Sequence, residues 1–178
     1  MRIIAGKFQR KVIRPPGSLP VRPTTDLAKE SLFNILQNHF DFEELKVLDL
    51  FSGTGSIAYE FISRGAKEVV AVENHYRCAE FIRKMVTVLA TPNLKVVQAD
   101  AFRFLSSSRN TFNIIFADPP FDLKEKEKIP IIVFGRGILD EGGWLVLEHP
   151  AKECFKQLPC FREERKYGRV HFSIFEKS

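Results

Sequence analysis

Short apolar runs alternate along this chain with segments whose apolar residues recur every three or four positions. The runs are Leu45–Phe51 (LKVLDLF), Glu68–Glu73 (EVVAVE), Leu94–Ala99, Phe112–Ala117 (FNIIFA) and Trp144–Leu147. Each has strand length, and FNIIFA is nearly continuous, as expected of a strand covered on both faces in a parallel sheet. Between them, helical spacing covers Ile57–Arg64, His75–Ala90 (Cys78, Phe81, Ile82, Met85 and Leu89 on one side) and the shorter Phe102–Ser108. Upstream, Ala28, Leu32, Ile35, Leu36 and Phe40 repeat at helical spacing, after Pro23 and the N-cap candidates Thr24, Thr25 and Asp26. Lys124–Ile138 is charged and partly helical, and Pro130 is expected to break it. Gly142-Gly143 is expected to be a turn. Phe161–Tyr167 and Val170–Phe175, joined through Gly168, read as a terminal antiparallel hairpin. The alternation predicts an α/β fold: a doubly wound, mostly parallel seven-stranded sheet in one domain over residues 1–178. Residues 1–23 form an N-terminal basic hairpin arm in this reading, and 24–178 the helix-flanked sheet.

In the arm, Ile3-Ile4 and Val12-Ile13 flank Gly6-Lys7-Phe8, a hairpin pattern, and Pro15-Pro16-Gly17 ends any regular element. Residues 1–25 hold six basic side chains (Arg2, Lys7, Arg10, Lys11, Arg14, Arg22) and no acid. The net charge of +5 leans the same way, toward a polyanionic partner. Removal of residues 1–17 is expected to leave the core intact. The composition, 44% hydrophobic and 28% charged, is that of an ordinary globular chain. No run reaches membrane-spanning length, and the first residues lack the apolar stretch of a signal peptide, so a cytoplasmic location is expected. Cys78, Cys154 and Cys160 form no C-x-x-C pair; they read as reduced thiols, with no metal site expected.

Ligands of doubly wound sheets sit beyond the carboxyl ends of the strands. Acids stand at or near four of those ends: Asp49, Glu73, Asp100 and Asp118. The turn Ser52-Gly53-Thr54-Gly55-Ser56 follows the first strand and opens a helix, which turns backbone N–H groups toward a ligand. Gly53, Gly55 and Ala58 also fit the G-x-G-x-x-G/A dinucleotide pattern, so a nicotinamide-dependent oxidoreductase is one reading. Asp49, just before the turn, would crowd a pyrophosphate with negative charge. S-adenosylmethionine, with its sulfonium, amine, ribose and adenine, suits the acids better: Asp49 near the amine, Glu73 on the ribose hydroxyls, Asp100 on the adenine amino group and Phe102 packed on the adenine. Asp118-Pro119-Pro120-Phe121 closes the fourth strand in a stiff turn that offers a carboxylate, bare carbonyls and an aromatic ring. These features suit an amino group on a flat ring, although Asp-Pro-Pro also serves simply as a turn. Glu148 reads as a supporting acid or an exposed strand end, and Tyr167 as active-site edge or core. His39, His75, His149 and His171 are scattered and form no pattern.

These residues carry a resemblance over nearly the whole chain. RIIAGKF, RPTTDLAKESLFNIL, VLDLFSGTGS, SRGA, DPPF and the late YG resemble the class I S-adenosylmethionine-dependent methyltransferases, and within them the RsmD-type 16S rRNA guanine-N2 methyltransferases. The resemblance implies methyl transfer to the exocyclic N2 amine of a guanine in 16S rRNA. Asp118, Pro119, Pro120 and Phe121 would form the catalytic turn. Phe51, Asn74 and Ala101 would join Asp49, Gly53, Gly55, Glu73, Asp100 and Phe102 around the cofactor. Arg2, Lys7, Arg10, Lys11, Arg14, Arg22, Thr24 and Arg169 would meet RNA. The partner would be 16S rRNA or the small subunit, and the protein a monomer. The alternatives are amine methylation of adenine N6 or of a protein glutamine, and an RNA-binding module without catalysis.

Overall fold

The computed structural model describes residues 1–20 and 25–178. Arg22 and Thr24, two of the RNA-contact candidates, lie outside the described residues. Helix α1 (Asp26–Gln37) begins at Thr25, whose Oγ1 accepts from Ala28 N–H at 3.3 Å, the capping expected of a Thr before a helix. A 3-10 turn (Phe42–Glu44) leads into β1 (Lys46–Leu50). There follow α2 (Ser56–Ser63), β2 (Glu68–Glu73), α3 (Tyr76–Leu89), β3 (Leu94–Gln98), α4 (Ala101–Ser107), β4 (Phe112–Ala117), α5 (Lys128–Arg136), β5 (Leu139–Pro150), β6 (Phe161–Tyr167) and β7 (Val170–Glu176). The seven strands form one sheet in the order β3-β2-β1-β4-β5-β7-β6. Strands β1 to β5 run parallel, and β7 pairs antiparallel with both β5 and β6. The chain order reverses between β1 and β4, and such a switch point opens a crevice at the carboxyl edge.

Two apolar layers cover the sheet. On one face Val47, Ile114, Phe116, Val146 and Phe172 pack against α1, α2 and α3 through Leu32, Leu36, Ile57, Phe61 and Ile82. On the other, Leu48, Leu50, Ile115, Ala117 and Leu147 pack against α4 and α5 through Ala101, Leu105, Ile129 and Val133. Cover on both faces explains why the central strands lack strict alternation.

Three local expectations fail. Pro130 does not break a helix: it is the third residue of α5, inside the first turn, where an N–H has no intrahelical acceptor to lose. Gly142-Gly143 is not a turn before the fifth strand but lies within β5, which starts at Leu139. The register slips there, from Phe112 opposite Leu139 to Ile114 opposite Trp144. The glycine pair is held by Gly142 N–H to Lys177 O (2.7 Å) and Lys177 N–H to Gly143 O (3.0 Å).

The third concerns the arm. It turns back as the hairpin pattern predicts, but with a single Arg2–Val12 bridge in place of two strands. Nor does it stand apart from the core. Its loop lies on α2, with Lys7 N–H donating to Ser63 O (2.7 Å) and Phe8 N–H to Ser63 Oγ (2.9 Å). A Cβ on Gly6 would stand 1.8 Å from the Ser63 carbonyl oxygen, so only glycine fits. Ile4 and Ala5 donate their N–H groups to Glu60 Oε2 (2.9 Å) and Oε1 (3.0 Å). Glu60 is fully buried and pairs with Lys29 (3.6 Å) and Arg64 (2.9 Å), while Lys29 Nζ also donates to Arg2 O (2.6 Å). Ile3 and Ile13 complete the seam in the core. Glu60→Ala strands Lys29 and two amides, and removing one partner of a buried pair costs about 3–5 kcal/mol. The urea midpoint is expected to fall sharply for Glu60→Ala and for a chain lacking residues 1–17; unchanged midpoints would show that the arm is merely draped on the surface.

Candidate active site

A cavity of about 1260 Å³ opens at the carboxyl ends of β1, β2, β4 and β5. Every cofactor candidate except Gly55 lines it: Asp49, Phe51, Gly53, Glu73, Asn74, Asp100, Ala101 and Phe102. So do all members of the proposed catalytic turn, Asp118, Pro119, Pro120 and Phe121. Gly55 belongs to the scaffold instead. It caps α2 at φ +86°, and a Cβ there would meet the Tyr59 ring at 2.7 Å. The turn above it is held from two sides. Glu73 Oε2 accepts from Gly53 N–H and its Oε1 from His75 N–H, both at 2.7 Å, so one carboxylate ties the glycine turn to the start of α3. Phe51 adopts φ +58°, rare for a residue with a side chain, and stands edge-on to Phe102 with ring centroids 6.4 Å apart. Together these rings give the cavity an apolar wall. Asp100 spends Oδ1 on Arg103 N–H (2.9 Å) as the α4 cap, and the residue is exposed.

The acids differ in setting. Asp49 is 1% exposed and its Oδ2 has no hydrogen-bond partner. Burial pushes its carboxyl up to about 8, with the charges of Asp118 and Glu73 adding to the rise and an Ala58 backbone hydrogen bond opposing it. Asp118 is half-buried beyond β4; burial raises it, and the Lys126 ammonium pulls the other way. Lys126 is 2% exposed and donates to the Phe121 carbonyl (3.1 Å) and to Glu153 Oε1 (2.7 Å), which clamps the Asp-Pro-Pro-Phe turn. Phe121 is 51% exposed at the lip. Glu148 also lines the cavity and is buried; burial raises its carboxyl first, then the Asp118 charge.

A family model described as "Conserved hypothetical protein 95" matches residues 1–176. Ribosomal RNA small subunit methyltransferase D of Haemophilus influenzae is 32% identical over 149 residues, 82% of this chain and 73% of that protein. The chain belongs to this family, the RsmD-type methyltransferases. The Escherichia coli K12 protein of the same name is 27% identical over 180 residues, 99% of this chain and 90% of its own. In three dimensions the Escherichia coli protein yhhF superposes with a TM-score of 0.88 at 27% identity, over 99% of this chain and 97% of that one. The sheet order and paired helical layers are accordingly the Rossmann-like class I methyltransferase fold.

Most of the other candidates lie away from the RsmD-type cavity. His149 Nε2 lies 2.8 Å from Ser173 Oγ and His171 Nδ1 2.8 Å from Glu164 Oε1, inside the β5–β7–β6 packing. His39 rests on the Trp144 ring, while His75 lines the mouth. Tyr167 packs on Phe172 and does not reach the cavity. Among the arm's cations, Arg2 pairs with Asp26 (3.4 Å), and Lys7 and Lys11 flank the Phe8 ring. With Arg10 and Arg14 they are exposed, and none lines the cavity. Exposed Arg169 sits at the β6–β7 turn beside Val170, which does. Lys126 was invisible in the sequence, hidden in the charged run Lys124–Lys128. Asp49 offers a test of the buried edge. Its folded carboxyl titrates near 8 against an ordinary 3.8, so its protonated form stabilises the fold fully at low pH, and that contribution is lost as pH rises through 8. Asp49→Asn is therefore expected to melt increasingly above the wild type between pH 5 and pH 8, without ligand. A melting difference constant over that range would place Asp49 in contact with water.

Proposed function

We propose that this chain transfers a methyl group from S-adenosylmethionine to the exocyclic N2 amine of a guanine in 16S rRNA. The observation that carries this reading is that the Asp118–Phe121 turn and the acid-lined glycine turn face one cavity. The residues fit the cofactor: the unpartnered Asp49 Oδ2 suits its amine, Glu73 its ribose, Asp100 its adenine amino group, and the Phe51–Phe102 wall its ring. When bound, the cofactor supplies an electrophilic methyl on a sulfonium. The small-subunit rRNA named in the relatives gives the substrate class.

The chemistry asked of the protein is positioning. The amine's lone pair is delocalised into the guanine ring, so the nitrogen is a weak nucleophile until it becomes pyramidal. Asp118 and the Pro119 carbonyl accept its two N–H groups and aim the lone pair at the methyl, in line with the breaking bond. Phe121 stacks on the base, a contact worth about 1–3 kcal/mol. The Lys126 clamp keeps the turn in place, so little reorganisation remains for the transition state. No strong base is needed, since the proton leaves a nitrogen already made cationic. A paired guanine has to flip out to enter.

The exposed arm cations and Arg169 meet phosphates, which position the substrate without reading sequence. Because the arm is built into the fold, its role is tested by charge and not by deletion. Changing Lys7, Arg10, Lys11 and Arg14 to Gln should weaken RNA binding and make the slope of log affinity against log salt shallower by about 3 units. An unchanged slope would exclude the arm. For the reaction, labelled cofactor is offered in parallel to naked 16S rRNA, small subunits and DNA. Label should enter an RNA form alone, and Asp118→Ala should slow single-turnover transfer by roughly 10²-fold or more with cofactor affinity kept. Transfer to DNA, or a rate loss matched by lost cofactor binding, would contradict the assignment.

A further inference from the structure

Glu148 is a second acid beside the catalytic turn. Ala117 opposite Leu147 is the last rung of the parallel pair β4–β5, and Asp118 and Glu148 are the next residues along each chain, near enough for the Asp118 charge to act on Glu148. Side chains of such neighbours point to the same face, about 5 Å apart. That face is the one bearing Phe116 and Val146, two residues back on each strand. Glu148 is 6% exposed, lines the cavity, and its enclosed Oε2 has no hydrogen-bond partner. Trp144 to Leu147 ahead of it are all core residues, so an apolar side chain would suit this position in β5 better on stability grounds alone. A buried carboxyl facing the reaction cavity without a partner of its own calls for a donor from the substrate.

Resting on the function proposed above, we infer that Glu148 reads the ring edge of the target base by accepting the N1–H of guanine while Asp118 accepts from the adjacent N2 amine. The chemistry is specific. Guanine carries N1–H and the N2 amine side by side, two donors facing two carboxyls. The N1–H of guanine favours the ionised form that burial opposes, whereas adenine sets an acceptor, N1, next to its amine and can pair only with a protonated Glu148. 2-Aminopurine keeps the amine at position 2 but likewise bears an acceptor at N1. Glu148 thereby selects the base, while Asp118 prepares the amine.

The test uses the full chain, S-adenosylmethionine, and 16S transcripts assayed naked and after reconstitution into small subunits. Once the wild type has marked its nucleotide, transcripts carrying guanine, adenine or 2-aminopurine there are compared by kcat/KM. The wild type is expected to favour guanine over 2-aminopurine by roughly 10- to 100-fold, the range of a good base-edge contact. Glu148→Leu should lose most of that preference and a similar factor on guanine. It should bind S-adenosylmethionine as the wild type does and unfold at the same or a higher temperature, which loss of a merely structural residue would not produce. Glu148→Gln, whose amide oxygen still accepts from N1–H, should keep an intermediate preference. A Leu variant that discriminates like the wild type, a wild type indifferent to N1–H or preferring adenine, or a Leu variant that loses cofactor binding and stability together would overturn the assignment. If the wild type marks no guanine in any RNA form, the underlying function falls and the assignment with it.

Discussion

Like charges crowded at the edge of a sheet repel, and they do so most where water is scarce. Asp49, Asp118 and Glu148 all project from the helix α1–α3 face of the parallel sheet, at or just past the ends of β1, β4 and β5. Burial raises all three, and their mutual charges raise Asp49 and Glu148 further. What holds them there is the sheet itself. Its central strands are pinned by hydrogen bonds on both sides and by two apolar layers, so these carboxyls cannot swing apart to solvent. Such a cluster lowers the stability of the ligand-free protein and is eased by groups that bring N–H donors and positive charge. S-adenosylmethionine would bring both, and a purine amine would add N–H donors.

The same sheet edge depends on packing at a distance. Helix α2 is capped by Gly55, against which Tyr59 lies, and carries Glu60 next to Tyr59. Glu60 in turn gathers Ile4, Ala5, Lys29 and Arg64. One short helix thus joins the cofactor turn, helix α1 and the basic arm through a buried carboxylate. The basic surface proposed to meet RNA and the turn proposed to hold the cofactor are parts of one packed unit. Lys126 does for the Asp-Pro-Pro-Phe turn what Glu73 does for the glycine turn: a charged group, committed on two sides, ties the loop to a neighbouring segment.

Much of this was legible in the residues because it rests on local chemistry. Both-face burial, as in FNIIFA, and one-sided helices, as in Tyr76–Leu89, mark strands and helices directly. An acid after a buried strand marks a ligand edge, which is how Asp49, Glu73, Asp100 and Asp118 could be named. The failures are nonlocal. Gly142-Gly143 reads as a turn, yet Lys177 from the end of the chain draws the pair into β5. Gly55 satisfies a nucleotide-binding pattern but serves the Tyr59 ring. Nothing in the charged run around Lys126 shows that it alone turns inward. The arm reads as removable, because the partner that anchors it, Glu60, lies far along the chain. Glu148 left two readings open, and only the pairing of β4 with β5 brings it beside Asp118.

The atom that receives the methyl group is the most direct point of contact between this geometry and chemistry. After reaction with S-adenosylmethionine bearing a labelled methyl, 16S rRNA is digested to nucleosides and the labelled species identified by mass spectrometry. N2-methylguanosine as the single labelled nucleoside is the predicted result. Label on adenine N6, on a ring nitrogen or on ribose would contradict the role given to Asp118 and its turn.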